Sequence, residues 1–328
     1  MVSLKMKNEI SKNALEVIDL QIKALKKLKI SINSEFERAI SVIKNCKSKV
    51  LICGVGKSGI ISTKISATLS SVGIPSFPIY ANDCSHGDLG KISSQDILIL
   101  ISNSGNTDEL NDLIRFAKIN KIILIGIISN RNSKLYKAAD IKLLIPEVEE
   151  AGFGIVPTSS TTAQLAIGDA MSIALMKEKK FGKLEFKKFH PAGNLGKKLK
   201  TASDVMLRND KIPFANENLK MKDALKILNS KKLGFLVVIS NKNLCSGVFT
   251  DGDLKRLIQK KKFISNLKIK KFVTKNPFSV EENTLATDVL NQMNKKKITN
   301  VCVYNKKNKK KVIGVIHIHN LLSLYKAN

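Results

Sequence analysis

The sequence predicts an α/β fold in two parts, a doubly wound parallel sheet followed by a tandem pair of small α+β modules. Three observations carry this. Uninterrupted apolar runs alternate with helical stretches between residues 46 and 180, as parallel strands buried on both faces alternate with their crossover helices. The loops after those runs are rich in Gly, Ser, Thr and Asn. Beyond His190 the chain repeats itself at offsets of 64–68 residues, and a copy that short buries its face against its twin.

Residues 8–45 read as helical, with Ile10, Ala14, Val17, Ile18, Ile22, Leu25 and Leu28 near helical spacing and a second stretch from Ser34 to Cys46. Val50–Cys53 is the first strand, followed by glycines and a helix from Ser58 to Val72. Ser76–Tyr80 reads as the second strand, Asp96–Ile101 and Ile122–Ile128 as the next two, with a helix over 108–120 between them. Leu143–Ile145 is a short fifth strand, and a long helix begins near Ser160. In the repeat, Asp204-Val-Met, Pro213, Leu225, Phe235-Leu-Val-Val and Gly247-Val-Phe are echoed by Phe272-Val-Thr, Pro277, Leu290, Val301-Cys-Val and Gly314-Val-Ile. Each copy reads strand–helix–strand–strand–helix. The expected boundaries are a helical segment over 1–45, the α/β domain over 46–190, a connector over 191–203, and modules over 204–264 and 265–328.

The net charge of +29 invites a nucleic-acid partner. Only five of the 56 basic residues are Arg, however, and base-reading surfaces favour the Arg fork. The excess is also spread over both parts of the chain, +12 over residues 1–203 (30 basic less 18 acidic) and +17 over 204–328 (26 less 9). We read it as solvated lysine faces, whose field also attracts an anionic substrate, and expect no nucleic acid. No window holds the roughly 18 apolar residues of a membrane helix, so no membrane partner is expected. Five scattered cysteines without a Cys-x-x-Cys pair suit a reducing compartment. The expected location is the cytoplasm.

Three loops carry chemistry. Gly54-Val-Gly56-Lys57-Ser58-Gly59 joins a strand to a helix, where backbone N–H groups form an anion site. It also matches the dinucleotide fingerprint, and Asp83 lies near the distance of a ribose-binding acid, so a nicotinamide-dependent dehydrogenase stays open at this loop. It is no nucleoside-triphosphate P-loop, because Leu51 stands where that pattern needs Gly. Ser102-Asn103-Ser104-Gly105-Asn106-Thr107 follows the next strand and offers hydroxyls and amides suited to a phosphate ester. A single helix cap accounts for one of these residues, not for all six. Pro157-Thr158-Ser159-Ser160-Thr161-Thr162 opens the last helix. Three such loops at one sheet edge favour a phosphosugar cradle.

Together with His86-Gly-Asp88-Leu-Gly90 and His190-Pro-Ala-Gly-Asn-Leu-Gly196, these motifs resemble the sugar isomerase (SIS) domain of arabinose-5-phosphate isomerases. The repeat, with Gly247-Val-Phe-Thr-Asp-Gly-Asp-Leu254, resembles the cystathionine-β-synthase (CBS) domain pair that this family also carries. The resemblance covers nearly the whole chain. It implies aldose–ketose interconversion of D-ribulose 5-phosphate and D-arabinose 5-phosphate through an enediol, feeding KDO and lipopolysaccharide synthesis, with no cofactor or metal required.

The resemblance also assigns residues. Lys57, Glu109, Glu150 and His190 map onto catalytic positions. Glu150 is the candidate base, and His190 reaches a neighbouring subunit's site. Gly56, Ser58, Gly73, His86, Ser102, Asn103, Ser104, Thr107, Ser159, Ser160 and Thr161 map onto substrate contacts. Tyr80 stands where some relatives offer a second His, so His86 is not expected to hold a metal. Asn106 replaces a usual acid, Ala151-Gly152-Phe153 a Cys-Pro-containing run, and Ala192 a Gly, changes that bear on rate and substrate preference. Thr250 and Asp253 match the Thr-x-x-Asp pattern that holds a nucleotide or nucleotide-sugar in such modules; a ligand-free assembly unit is the alternative. In the second copy His317 and Asn320 stand there, and His317 and His319 read as alternating along a strand. A homodimer or homotetramer is expected. A non-catalytic sugar-phosphate sensor is the rival function, disfavoured because residues 8–45 show no three-helix, Arg-bearing DNA-reading unit.

Overall fold

The computed structural model describes residues 4–190, 196, 199–260 and 265–323, which form two compact units, Met1–Phe189 and His190–Asn328. Part of the 191–203 connector, including Ala192, lies outside the described residues.

The first unit opens with α1 (Leu4–Ser31) and α2 (Ser34–Asn45), the latter capped by Asn33, whose side chain accepts from Glu35 N. Then come β1 (Val50–Gly54), α3 (Lys57–Ser71), β2 (Ser76–Pro78), the short α4 (Ala81–Ser85), β3 (Ile97–Ser102), α5 (Asn111–Ile119) after a 3-10 turn at Asp108–Leu110, β4 (Ile123–Ile128), α6 (Lys134–Ala138) and β5 (Ile141–Leu144). A single turn, α7 (Ala151–Gly154), precedes the long α8 (Ser159–Glu178) and α9 (Lys183–Phe189). The five strands are parallel in the order β2-β1-β3-β4-β5.

Alternation along each strand sorts its side chains to the two faces. Val50, Ile52, Ile97, Ile99, Ile101, Ile125 and Ile127 pack with Ile65 and Leu69 of α3 and Ala163, Ile167, Met171 and Leu175 of α8. Leu51, Cys53, Leu98, Leu100, Leu124 and Ile128 pack with Ala81 and Cys84 of α4, Leu113 of α5 and Leu135 of α6. With both faces covered, strands of unbroken apolar residues are what the sheet requires. The second strand ends at Pro78, not Tyr80, since Tyr80 is already the N-cap of α4. Asp83 therefore lies within α4 and not at a strand end.

The second unit contains α10 (Ala202–Val205), β6 (Phe214–Asn216), α11 (Met221–Lys231), β7 (Phe235–Ile239), β8 (Cys245–Thr250), α12 (Asp251–Lys260), β9 (Ser279–Glu281), α13 (Ala286–Lys296), β10 (Asn300–Asn305), β11 (Asn308–His317) and α14 (Ile318–Leu322). Two three-stranded sheets, β6-β7-β8 and β9-β10-β11, share one topology, a parallel then an antiparallel pairing. The copies interlock. Ala202 and Met206 pack into the second copy's core, and Leu207 N donates to Val315 O at 2.8 Å. Conversely, Met221 N donates to Leu267 O at 2.9 Å, and Ile269 packs into the first copy's core. Each module is thus completed by chain from across the 264/265 boundary. His319 lies in α14 instead of alternating along β11, because His317 ends the strand and caps that helix. No described helix is long and apolar enough to cross a membrane.

Candidate active site

In the order 2-1-3-4-5 the connections from β1 and β3 leave in opposite directions, opening a crevice at their carboxyl ends. The first two hydroxyl- and glycine-bearing loops flank that crevice, since Gly54 and Ile101 are paired across β1 and β3.

The glycine loop is tight because strand end and helix start meet backbone to backbone. A Cβ on Gly54 would lie 2.7 Å from the Ser58 carbonyl carbon, and one on Gly59 would lie 2.9 Å from Gly54 O. Gly56, the N-cap of α3, has φ +59 and ψ −125, and a Cβ added there would meet nothing within 4 Å. Lys57 is exposed in the first turn of α3 and has no ion pair among the described residues. A cation there opposes the helix dipole, so its position suits an anionic visitor. Ser58 Oγ donates to Gln164 Oε1 of α8 at 3.1 Å, tying the two helix starts together.

The second loop is ordered by its own hydroxyls. Ser102 Oγ and Thr107 Oγ1 lie 2.8 Å apart, and Gly105 N donates to Ser102 Oγ at 2.9 Å. Asn103 O accepts from Ser129 N and Oγ, and Asn106 Oδ1 accepts from Lys134 N at 3.0 Å. Asn103 and Ser104 are exposed, and Ser104 Oγ accepts from Asn106 N at 3.3 Å. Glu109 is exposed in the 3-10 turn that follows. At the third loop Glu150 Oε2 accepts from Thr158 N (2.7 Å), Thr158 Oγ1 (3.2 Å), Ser159 N (2.8 Å) and Ser160 N (3.4 Å). Burial pushes its carboxyl up, but the Ser160 side chain and the N–H groups of Thr158, Ser159 and Ser160 outweigh it and hold the group below the ordinary value. The start of α8 is thereby filled by an ionised carboxylate. Thr161 Oγ1 turns back to Thr158 O at 3.0 Å. Between Glu150 and Thr158, Gly152, Phe153 and Gly154 all have positive φ, and Phe153 is fully exposed.

One assigned residue, Gly73, sits apart from this edge. Gly73 follows the C-terminus of α3, about 22 Å along the helix axis from Gly56 for a 15-residue helix, and packs against Phe181. A crossover helix returns the chain to the opposite edge, so Gly73 does not join the loops within one chain. His86 is exposed at the end of α4, and a hollow of about 760 Å³ runs from Gly54 and Gly56 along α3 to Tyr80 and Asp83. His190 is the first residue of the second unit. Among the described residues no group of three His, Cys, Asp or Glu converges as metal ligands would. The residue that sequence reasoning missed is Gln164, fully buried on α8 one turn from Ser160 and Gly168. Its one signal was an amide in the helix that the third loop opens.

In the second unit Thr250 and Asp253 face one another. Thr250 N and Oγ1 donate to Asp253 Oδ2 at 2.9 and 2.8 Å, and Asp253 N donates back to Thr250 Oγ1 at 3.2 Å, a capping box at α12. Thr201 with Asp204, and His317 with Asn320, repeat that device. The remaining Asp253 oxygen accepts from Arg256 at 2.6 Å. These residues border a cleft of about 870 Å³ that also includes Lys232, Lys297 and His317.

Comparison with known proteins follows the same two-part division. Residues 43–174 match the SIS domain, and residues 202–260 and 269–327 match the CBS domain. A Yersinia pestis protein named arabinose 5-phosphate isomerase KdsD is 40% identical over 309 residues, 94% of this chain and 93% of its own. A Francisella tularensis protein of the same name is 38% identical over 317 residues, 95% of this chain and 96% of its own. An E. coli CFT073 protein solved in complex with arabinose 5-phosphate is 36% identical with a TM-score of 0.54, covering 58% of this chain and all of its own.

Proposed function

The chain belongs to the arabinose 5-phosphate isomerase family, an SIS domain followed by a CBS pair, and on that premise we propose that it interconverts D-ribulose 5-phosphate and D-arabinose 5-phosphate at the β1–β3 crevice. The observation that carries this reading is an ionised carboxylate, Glu150, at the start of a helix whose Gln164 is bonded to the glycine loop.

The phosphoryl group is bound by N–H and hydroxyl groups of Gly56, Ser58, Ser102, Asn103, Ser104 and Thr107. Lys57 balances its charge. Glu150 takes the proton from the carbon beside the carbonyl and returns it to the neighbouring carbon, through an enediol. A positioned base supplies about 10²–10⁴-fold. The hydrogen bonds that keep Glu150 ionised also weaken it as a base. Substrate oxygens that take over the donors of Thr158, Ser159 and Ser160 restore its basicity. Glu109 and His86 serve proton transfers to the substrate oxygens, and Gly73 and His190 complete the site of a neighbouring copy.

A homo-oligomer follows from that division of labour. It is supported by Ile10, Leu15, Ile18, Ile22 and Leu25, exposed along one stripe of α1. We place the enzyme in the cytoplasm, where its free thiols and phosphorylated substrate belong, supplying arabinose 5-phosphate for KDO and lipopolysaccharide synthesis. The cationic CBS cleft takes a nucleotide or nucleotide-sugar. The deciding experiment is incubation of the purified chain with D-ribulose 5-phosphate and chromatographic detection of arabinose 5-phosphate. Binding without conversion gives the sensor reading instead.

A further inference from the structure

We propose that Gln164 is a positioning residue whose side-chain amide donates to Ser58 Oγ and so turns the Ser58 hydroxyl proton toward the bound phosphoryl group. The proposal rests on the reading that the glycine loop holds a sugar phosphate.

Gln164 is completely buried. One turn to either side on α8 stand the small buried residues Ser160 and Gly168, and a methionine would fill the space of Gln164 without carrying an amide out of water. Its chemistry therefore has a use. Oε1 accepts from Ser58 Oγ at 3.1 Å, while Nε2 is buried with no partner among the described residues. In that arrangement Ser58 gives its single proton to Gln164 and presents only lone pairs to the loop, which repel a phosphoryl oxygen.

The two ends of a side-chain amide have nearly the same shape, so the same pocket accepts both orientations. Turned by half a rotation, Nε2 donates to Ser58 Oγ. The orphan N–H gains a partner, and the Ser58 proton is released toward the ligand. What is left unpaired is a carbonyl oxygen, which buried protein tolerates better than an unpaired N–H. An arriving anion pulls the Ser58 proton outward and the amide rotates behind it. This links occupancy of the glycine loop to α8, the helix whose first turn holds Glu150.

The test measures the dissociation constant of arabinose 5-phosphate by calorimetry and KM and kcat by turnover, for wild type, Gln164→Met, Ser58→Ala and the double variant. Gln164→Met is expected to weaken binding and raise KM by about tenfold, with kcat within about twofold. In the Ser58→Ala background it is expected to change nothing further, because its effect passes through that hydroxyl. Gln164→Glu supplies a second reading should the methionine variant not fold. A buried carboxyl is neutral at mildly acidic pH and donates as the amide does, so affinity is expected to hold there and fall as pH rises. An equal loss in the Ser58→Ala background, or undiminished affinity of Gln164→Met, overturns the proposal. Wild type that does not bind arabinose 5-phosphate removes the functional reading and this proposal with it; wild type that binds while the variants match it removes this proposal alone.

Discussion

Glu150 and Asp96 are both held ionised, but by different means and for different ends. Asp96, before β3, is buried, which pushes its carboxyl up. Hydrogen bonds from Ser48, Ser93 and Lys49 outweigh this and bring it down to about 2 from 3.8. Its Oδ2 lies 2.9 Å from Lys49 Nζ. The folded value is below the unfolded one, so its contribution of about 2 kcal/mol is complete above pH 3.8 and disappears as pH falls toward 2. Asp96→Asn is expected to lose at least that amount in urea unfolding at neutral pH. Glu150 has the same sign: its stabilisation is present above its ordinary 4.5 and is lost as pH falls through the lower folded value. Comparing the melting of wild type and Glu150→Gln checks this, and their difference is expected to shrink as pH falls below 4.5. The positions of Asp96 at the head of an apolar run and of Glu150 after the fifth strand were visible in the sequence. The hydrogen bonds of Glu150 were not, because the donors lie eight to ten residues on, across a left-handed turn.

At the scale of elements, the legible strands were those with only one way to be buried. β1, β3 and β4 are unbroken apolar runs, and the structure buries them on both faces. α4 and α6 went unseen because five residues are too few to show a helical period. Two glycines give contrasting expectations. Gly56 has φ +59 with ψ −125 and open space, so Gly56→Ala is expected to cost about 1–3 kcal/mol of backbone strain alone. Gly105 has φ +67, and an added Cβ would overlap the Ser133 side chain. Gly105→Ala is expected to cost more, since overlap adds to strain, and to weaken phosphate binding, because the overlap displaces the N–H that orders Ser102. Denaturant unfolding of the two variants side by side checks the order.

At the scale of the whole molecule, the repeat announced two modules, but not that each borrows chain from the other. Met206 ends one echoed motif, but which copy's core it enters is not written in the repeat, and pairings such as Leu207 with Val315 span too much sequence to be read from periodicity. Association is likewise beyond the reach of local pattern, although α1 suggests it. Light scattering is expected to give two or four times 36.2 kDa, and Ile18→Glu on the exposed stripe is expected to shift the population toward smaller species. The whole account meets in one measurement: isomerisation in D2O followed by proton NMR, for wild type and Glu150→Gln. Wild type is expected to place deuterium at C2 of arabinose 5-phosphate. Glu150→Gln is expected to slow exchange and turnover together by at least about 10²-fold while still binding the sugar. Exchange at the wild-type rate in Glu150→Gln would contradict the account.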